Sequence, residues 1–231
     1  NMTDSGALTI TGTTTLTTSA NNATIALDTT TNAFTGAVTI TTNDDAGTDA
    51  DVTIDGGTTA LILAASTIDG DLTVRSGNAS GIIDNGLVTV GGNLAATTDA
   101  AHGVINLGTL AVDGTVALAT HGSGNATVVN DAGLTFAAAT VGGNLAATTD
   151  ANSGVINLGT LAVDGTIALA TNGSGNATVV NDAGLNFAAS TVRGNLAATA
   201  TTGNMTDSGA LTVAGTSSFT TSANNADITL N

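Results

Sequence analysis

The sequence predicts an all-β protein, a solenoid in which short strands stack coil upon coil. Three observations carry that prediction: a composition without helix-surface residues, nested tandem repeats, and alternating apolar runs separated by turns rich in Gly and Asn. The chain has 231 residues with 30 Gly, and it has no Pro, Cys, Trp or Tyr. It also has no Lys, Glu or Gln, the residues that furnish the exposed faces of helices. Thr, a strand former, makes up about a fifth of the chain, several times its ordinary usage. A hydrophobic fraction of 42% is too high for an acidic disordered chain.

The charge balance removes whole classes of function. All 18 acids are Asp, the only Lys or Arg residues are Arg75 and Arg193, and the formal charge is −16. Nucleic-acid binding needs clustered cations to neutralise phosphates, so a nucleic-acid partner is excluded. No apolar run reaches the length of a membrane span, and the first residues do not form a signal peptide. Without Cys there is no disulfide framework and no zinc–thiolate site.

The repeats give the order of elements. Residues 1–28 return at 204–231 with 20 of 28 positions identical, an offset of 203. The sequence therefore predicts one array over 1–231, a window in a longer periodic chain, with 204–231 opening the next super-repeat. Inside it, residues 90–140 recur at 141–191 with 45 of 51 positions identical, and a third copy begins at Val192 before diverging. A shorter unit lies below these: an aliphatic residue, any residue, Gly, then an alternating run. It reads ITGTTTLTT from Ile10, IDGDLTV from Ile68, VGGNLAATT from Val90, VDGTVALAT from Val112, VDGTIALAT from Val163 and VAGTSSFTT from Val213.

Units of this length with period-2 runs read as solenoid coils. In TVALAT (115–120), Val116 and Leu118 are expected inside, with Thr115, Ala117 and Thr120 outside or at a corner. The turns DAG, HGSGN and NDAG supply Gly and Asn, which tolerate positive φ. Stacking at about 4.8 Å gives aliphatic ladders inside and Thr or Asn ladders outside, with about nine coils and about 43 Å per super-repeat. A two-sheet antiparallel sandwich would need hairpin turns between successive strands. The near-exact 51-residue copies favour the solenoid, where each coil meets an equivalent neighbour.

The phrases SGALTITGTTTLTTSANNATIAL, NAFTGAVTI and STVRGNLAAT resemble the repeats of filamentous haemagglutinin-like exoproteins, giant two-partner-secretion adhesins, and of related autotransporter passengers. The resemblance covers essentially all of the chain and marks an architecture more than an activity. It implies a right-handed parallel β-helix, export across a Gram-negative outer membrane, and a role in adhesion or matrix building.

Candidate sites are few. The segment NDDAGTDADVTIDGG carries Asp44, Asp45, Asp49, Asp51 and Asp55, oxygen ligands of the kind calcium takes. Its spacing fits neither the helix–loop–helix calcium loop nor the glycine-rich nonapeptide, and Asp is also a self-capping turn residue. His102 and His121 form a nominal metal pair, yet their counterparts in the next copy are Ser153 and Asn172, so they read as surface turn residues. Asp69 and Asp71, with Arg75 nearby, are the nearest approach to a polysaccharide-cleaving carboxylate pair. No Tyr, Trp or Lys is present to hold a sugar, so the chain is not expected to be an enzyme and no catalytic residue is assigned. Thr runs such as 11–19 raise an ice-binding reading, but Asn, Ala and Ser interrupt their register. Seven N-x-[ST] sequons occur, about the number this composition yields by chance.

The expected function is a structural segment of a secreted or cell-surface fibrous protein: matrix, surface fibre or adhesin stalk. The expected partner is a second copy, laterally or end to end. A polysaccharide or host surface is the alternative, and no cofactor is assigned, calcium being the one candidate.

Overall fold

The computed structural model describes residues 1–43 and 49–231, which hold 28 strands and no helix. Every named strand pair is parallel, as in Leu72–Leu94 and Leu94–Val116, and the exception is an isolated antiparallel bridge between Ala33 and Gly57. Two sheets of 11 and 15 strands form the two walls of each coil, with a two-stranded pair beside them at Thr9–Ile10 and Ala33–Phe34. The eleven strands of the first sheet count the coils, so the described residues stack about eleven of them. This is a β-solenoid. Its coils vary from 19 residues, between Ala177 and Leu196, to 27, between Ile25 and Val52. The variation is absorbed at corners, where loop length costs little.

The alternation predicted from sequence decides which atoms enter the core. Val116 and Leu118 are 1% and 3% exposed, and with their counterparts they join one continuous apolar cluster running from Leu16 to Met205. Thr120, expected outside or at a corner, takes the corner. It follows Leu118 in the inward series and is buried, its hydroxyl donating to the Gly124 carbonyl at 2.9 Å. A short hydroxyl can close the end of a straight run because a turn carbonyl is within reach. Thr171 repeats the bond to Gly175, and Thr98 makes it to Gly103.

Each coil is built from two kinds of half-coil. Straight half-coils are runs such as 94–98, 116–120 and 126–130. Bent half-coils such as Ile105–Val112 carry a register shift midway, at Leu107 to Leu110. Along residues 94–141 the order is straight, bent, straight, straight, bent, and the same order restarts at Leu145. The 51-residue repeat is therefore five half-coils, an odd number. Leu94–Ala101 lies in the first sheet and its copy Leu145–Asn152 in the second, whereas Ile105–Val112 lies in the second and its copy Ile156–Val163 in the first.

The super-repeat behaves in the same way. Met2 stacks on Ile25 in the first sheet, and the equivalent pair Met205 and Ile228 stacks in the second. The sequence-based figure of nine coils thus becomes nine and a half, about 46 Å at the strand spacing.

The aliphatic-x-Gly unit marks a corner where coils touch through their backbones. Gly114 N donates to Gly92 O and Gly92 N to Gly70 O, each at 3.0 Å, and Gly165 N to Gly143 O repeats the contact. A Cβ at Gly165 would lie 2.5 Å from Asn144 Oδ1 and Gly143 O, whereas one at Gly12, in the first coil, meets nothing within 4 Å. Positive φ is needed elsewhere, at Gly122 and Gly173 in the GSGN turns. Gly165→Ala is expected to destabilise the chain by about 2 kcal/mol, and Gly12→Ala to change it by less than about 0.5 kcal/mol. Urea unfolding of the two variants side by side checks this.

Candidate functional site

A ladder of Asp and Asn side chains runs up the corner that follows these glycines. Asp51 Oδ1 accepts the Asp71 N–H at 2.8 Å, Asp71 Oδ1 accepts the Asn93 N–H at 2.7 Å, and Asn93 Oδ1 accepts both N–H and hydroxyl of Thr115. The next copies repeat it: Asn125, Asn144 and Thr166 in the second sheet, then Asn176, Asn195 and Thr216 in the first. Each side-chain oxygen satisfies a backbone donor that the widening corner leaves without a carbonyl. These ladders bond within the rod, so they are part of its structure rather than free groups for another molecule.

A second Asn works inside. Asn130, 1% exposed, accepts from Val112 N at 2.8 Å and donates to the carbonyls of Val112 and Gly133. Asn181 repeats all three bonds with Val163 and Gly184. These two residues were not singled out in the sequence. The available signal was an Asn at the inward end of the identical runs ATVVN.

The outer walls are small and nearly uncharged. Straight half-coils project Ala95 and Thr97, then Ala117 and Ala119, from the first sheet; their copies Ala146, Thr148, Ala168 and Ala170 project from the second. Among the described residues one continuous row of four Thr exists, in which Thr17, Thr41, Thr67 and Thr89 stack before Ala111 ends it. It is hidden in the sequence because the loops between its members differ in length. Most acids instead occupy corners: Asp113, Asp131, Asp164 and Asp182 are all exposed there.

The ionic contacts are local. Arg75 donates twice to Asp99 on the adjacent coil, at 2.5 and 2.9 Å, with both side chains about half exposed. The Asp99 hydrogen bond, reinforced by its charge, raises Arg75 above its ordinary pKa. A pair this open adds less than about 1 kcal/mol. Asp150, the copy of Asp99 on the opposite wall, has no ion-pair partner among the described residues. At the first coils, Asn32 donates to Asp4 at 2.7 Å and holds that carboxyl below its ordinary pKa. The contact is present above the ordinary carboxylate pKa and is lost as pH falls through the lowered value.

Among the described residues the sequence-predicted acidic candidates do not converge. Asp44 and Asp45 lie outside the described residues. Asp51 is committed to the corner ladder, and Asp55 is buried with Oδ1 accepting from Gly57 N at 2.7 Å. Among the described residues no group of three or more His or Asp side chains is placed to hold a metal ion. Asp69 and Asp71 separate: Asp69 is 8% exposed and its Oδ2 finds no partner among the described residues, while Asp71 bonds Asn93.

His102 and His121 do meet at one corner, through the His102 N–H and the His121 carbonyl. His102 has φ of 64° and contacts the Ser123 hydroxyl at 2.6 Å, and Ser153, with φ of 65°, makes the equivalent contact to Ser174. Serine serves the turn as well as histidine, so imidazole chemistry is not what the position selects. A shallow groove of about 330 Å³ lies along Val163, Asp164, Thr166, Leu185, Asn186 and Asn204. No helix of the described residues is long and apolar enough to cross a membrane.

Residues 1–41 and 174–231 match a family model described as repeats of unknown function (DUF5649), which covers less than half of the chain. The two matched segments share the 1–28 and 204–231 repeat. Over those residues the chain is similar to that family, and the match and the solenoid agree on a repeat protein. Comparisons with curated proteins and with solved structures return no match.

Asn130→Ala is expected to cost about 3 kcal/mol, because the buried N–H and carbonyl of Val112 both lose their partner and the Gly133 carbonyl loses a third bond. Asn181→Ala should cost the same, and Asn93→Ala at the exposed corner about 1 kcal/mol. Equilibrium unfolding of the three variants tests this order.

Proposed function

We propose that this chain is a structural repeat segment of a secreted or cell-surface fibrous protein. It acts as a stiff, non-enzymatic rod in an extracellular matrix, a surface fibre or an adhesin stalk. The observation that carries the reading is the continuous apolar core from Leu16 to Met205 through the stacked coils, with the same repeat on both walls. A solenoid buries core in proportion to its length, so each added repeat extends the rod at constant stability per coil. The resemblance to filamentous haemagglutinin-like exoproteins supports the extracellular location, and the absence of Cys and Pro suits a chain exported before folding.

The partner in this reading is a second rod. One wall, about 50 Å long and about 17 Å wide, offers on the order of 800 Å², the area each partner contributes to a standard interface. The first wall carries Arg75, and the second carries Asp150 at the place where the first has the Arg75-paired Asp99. First wall against second is therefore better matched in charge than second against second. Because each rod owns both walls, this contact does not close, and it builds ribbons instead of dimers. The charge of −16 opposes association until salt screens it. A second reading, direct adhesion to a polysaccharide, draws on the shallow groove beside Asp164.

Electron microscopy at physiological salt is expected to show ribbons one rod thick. Placing Glu on one wall (Thr97→Glu with Thr199→Glu) or on the other (Thr148→Glu with Ala170→Glu) should leave single rods. Mixing the two variants should give discrete pairs, since each retains the wall the other lacks. Mixtures that stay single contradict the wall-to-wall contact, and particles that are not rods contradict the reading itself.

A further inference from the structure

We propose that Asn172 is a site of spontaneous deamidation, converting with time to Asp and isoaspartate at a turn between the two walls. Asn172 is exposed at the end of the strand Thr166–Asn172 and is followed by Gly173, which has φ of 58°. The Gly173 N–H donates to the side-chain Oδ1 of its own neighbour Asn172 at 2.8 Å. That bond holds the backbone nitrogen beside Cγ, the atom it attacks in imide formation, and glycine offers no side chain to obstruct the approach. Holding reacting atoms close removes much of the entropic barrier to such a step.

The chemistry needs only water. The Gly173 nitrogen gives its proton to solvent base and bonds to Asn172 Cγ. The Cγ–Nδ2 bond then breaks, and ammonia leaves with a proton from solvent, closing a five-membered imide. Water adds to one of the two imide carbonyls and reopens the ring as Asp or isoaspartate. No oxidation or reduction occurs.

The product matters to the stack. Asn172 Nδ2 donates to the Asp150 carbonyl on the preceding coil at 3.0 Å, and a carboxylate cannot make that bond. Isoaspartate also inserts a methylene into the main chain between the Asn152–Asn172 pairing and the Gly175 N–H bond to Asn172 O. The repeat supplies its own controls. The equivalent residue in the other copy is His121, which has no amide. The second Asn–Gly pair, Asn85–Gly86, is also exposed at Asn85, but among the described residues no bond holds Gly86 N on the Asn85 amide as Gly173 N is held on Asn172, and a Cβ at Gly86 would lie 2.7 Å from Ala65 N.

The test is incubation of the full chain in warm, mildly alkaline buffer, followed by peptide mass spectrometry and enzymatic methylation of isoaspartate. Asn172 is expected to convert several-fold faster than Asn85, faster at higher pH, and Asn172→His should remove its isoaspartate signal. Equal rates at Asn172 and Asn85 would overturn the proposal. So would an Asn172 that stays intact in the folded chain while it converts after urea unfolding. Neither result bears on the rod reading, which rests on other observations.

Discussion

Everything in this molecule depends on laying one coil's backbone directly on the next in parallel register. The constraint is tightest at the corner, where Gly92, Gly114 and their copies bond backbone to backbone. Any side chain there meets a neighbouring coil on a path with no room to yield. The corner then opens, and Asp or Asn side chains take over as acceptors for the next coil's N–H groups. Glycine contact followed by an Asx bridge explains why the short unit is spelled as it is. It also explains the missing Pro, which has no N–H to give to a ladder.

The odd number of half-coils follows from that register and has the widest consequences. Identical sequences serve both walls, so each must fit neighbours of two kinds, straight and bent. The run 116–120 shows how: Val116 stacks on Phe136 and Ala117 on Ala138, with one residue of slip between them. Small outward residues tolerate this slip, because Ala and Thr leave no bulk to collide on the wall. Whatever one super-repeat displays on one side, the next displays on the other.

Much of the architecture was legible in the sequence, and what was missed has physical causes. Parallel stacking and the inward Val116 and Leu118 followed from periodicity and repetition. Thr120 was expected outside or at a corner; it sits at the corner and is buried, because a turn carbonyl within bonding distance makes its burial inexpensive. The half-coil offset was invisible, since a repeat length says nothing of how many residues a turn consumes. The four-residue Thr row was hidden for the same reason. At the candidate histidine corner, His102 was matched by Ser153 in sequence, and both take positive φ and contact the serine of the next turn. Asn130 and Asn181 escaped notice because a buried Asn looks like a surface Asn until its three backbone partners are seen.

The central claim is that equivalent residues of adjacent 51-residue copies face opposite ways, and paired spin labels measure it directly. The chain has no Cys, so Thr97→Cys, Thr148→Cys and Thr199→Cys can be labelled in pairs without background. The account predicts a Thr97–Thr148 distance beyond about 20 Å, spanning the rod from wall to wall, and a Thr97–Thr199 distance near about 24 Å, along one wall over five coils. A Thr97–Thr148 distance of about 10 to 14 Å, the rise of two or three whole coils, would contradict it.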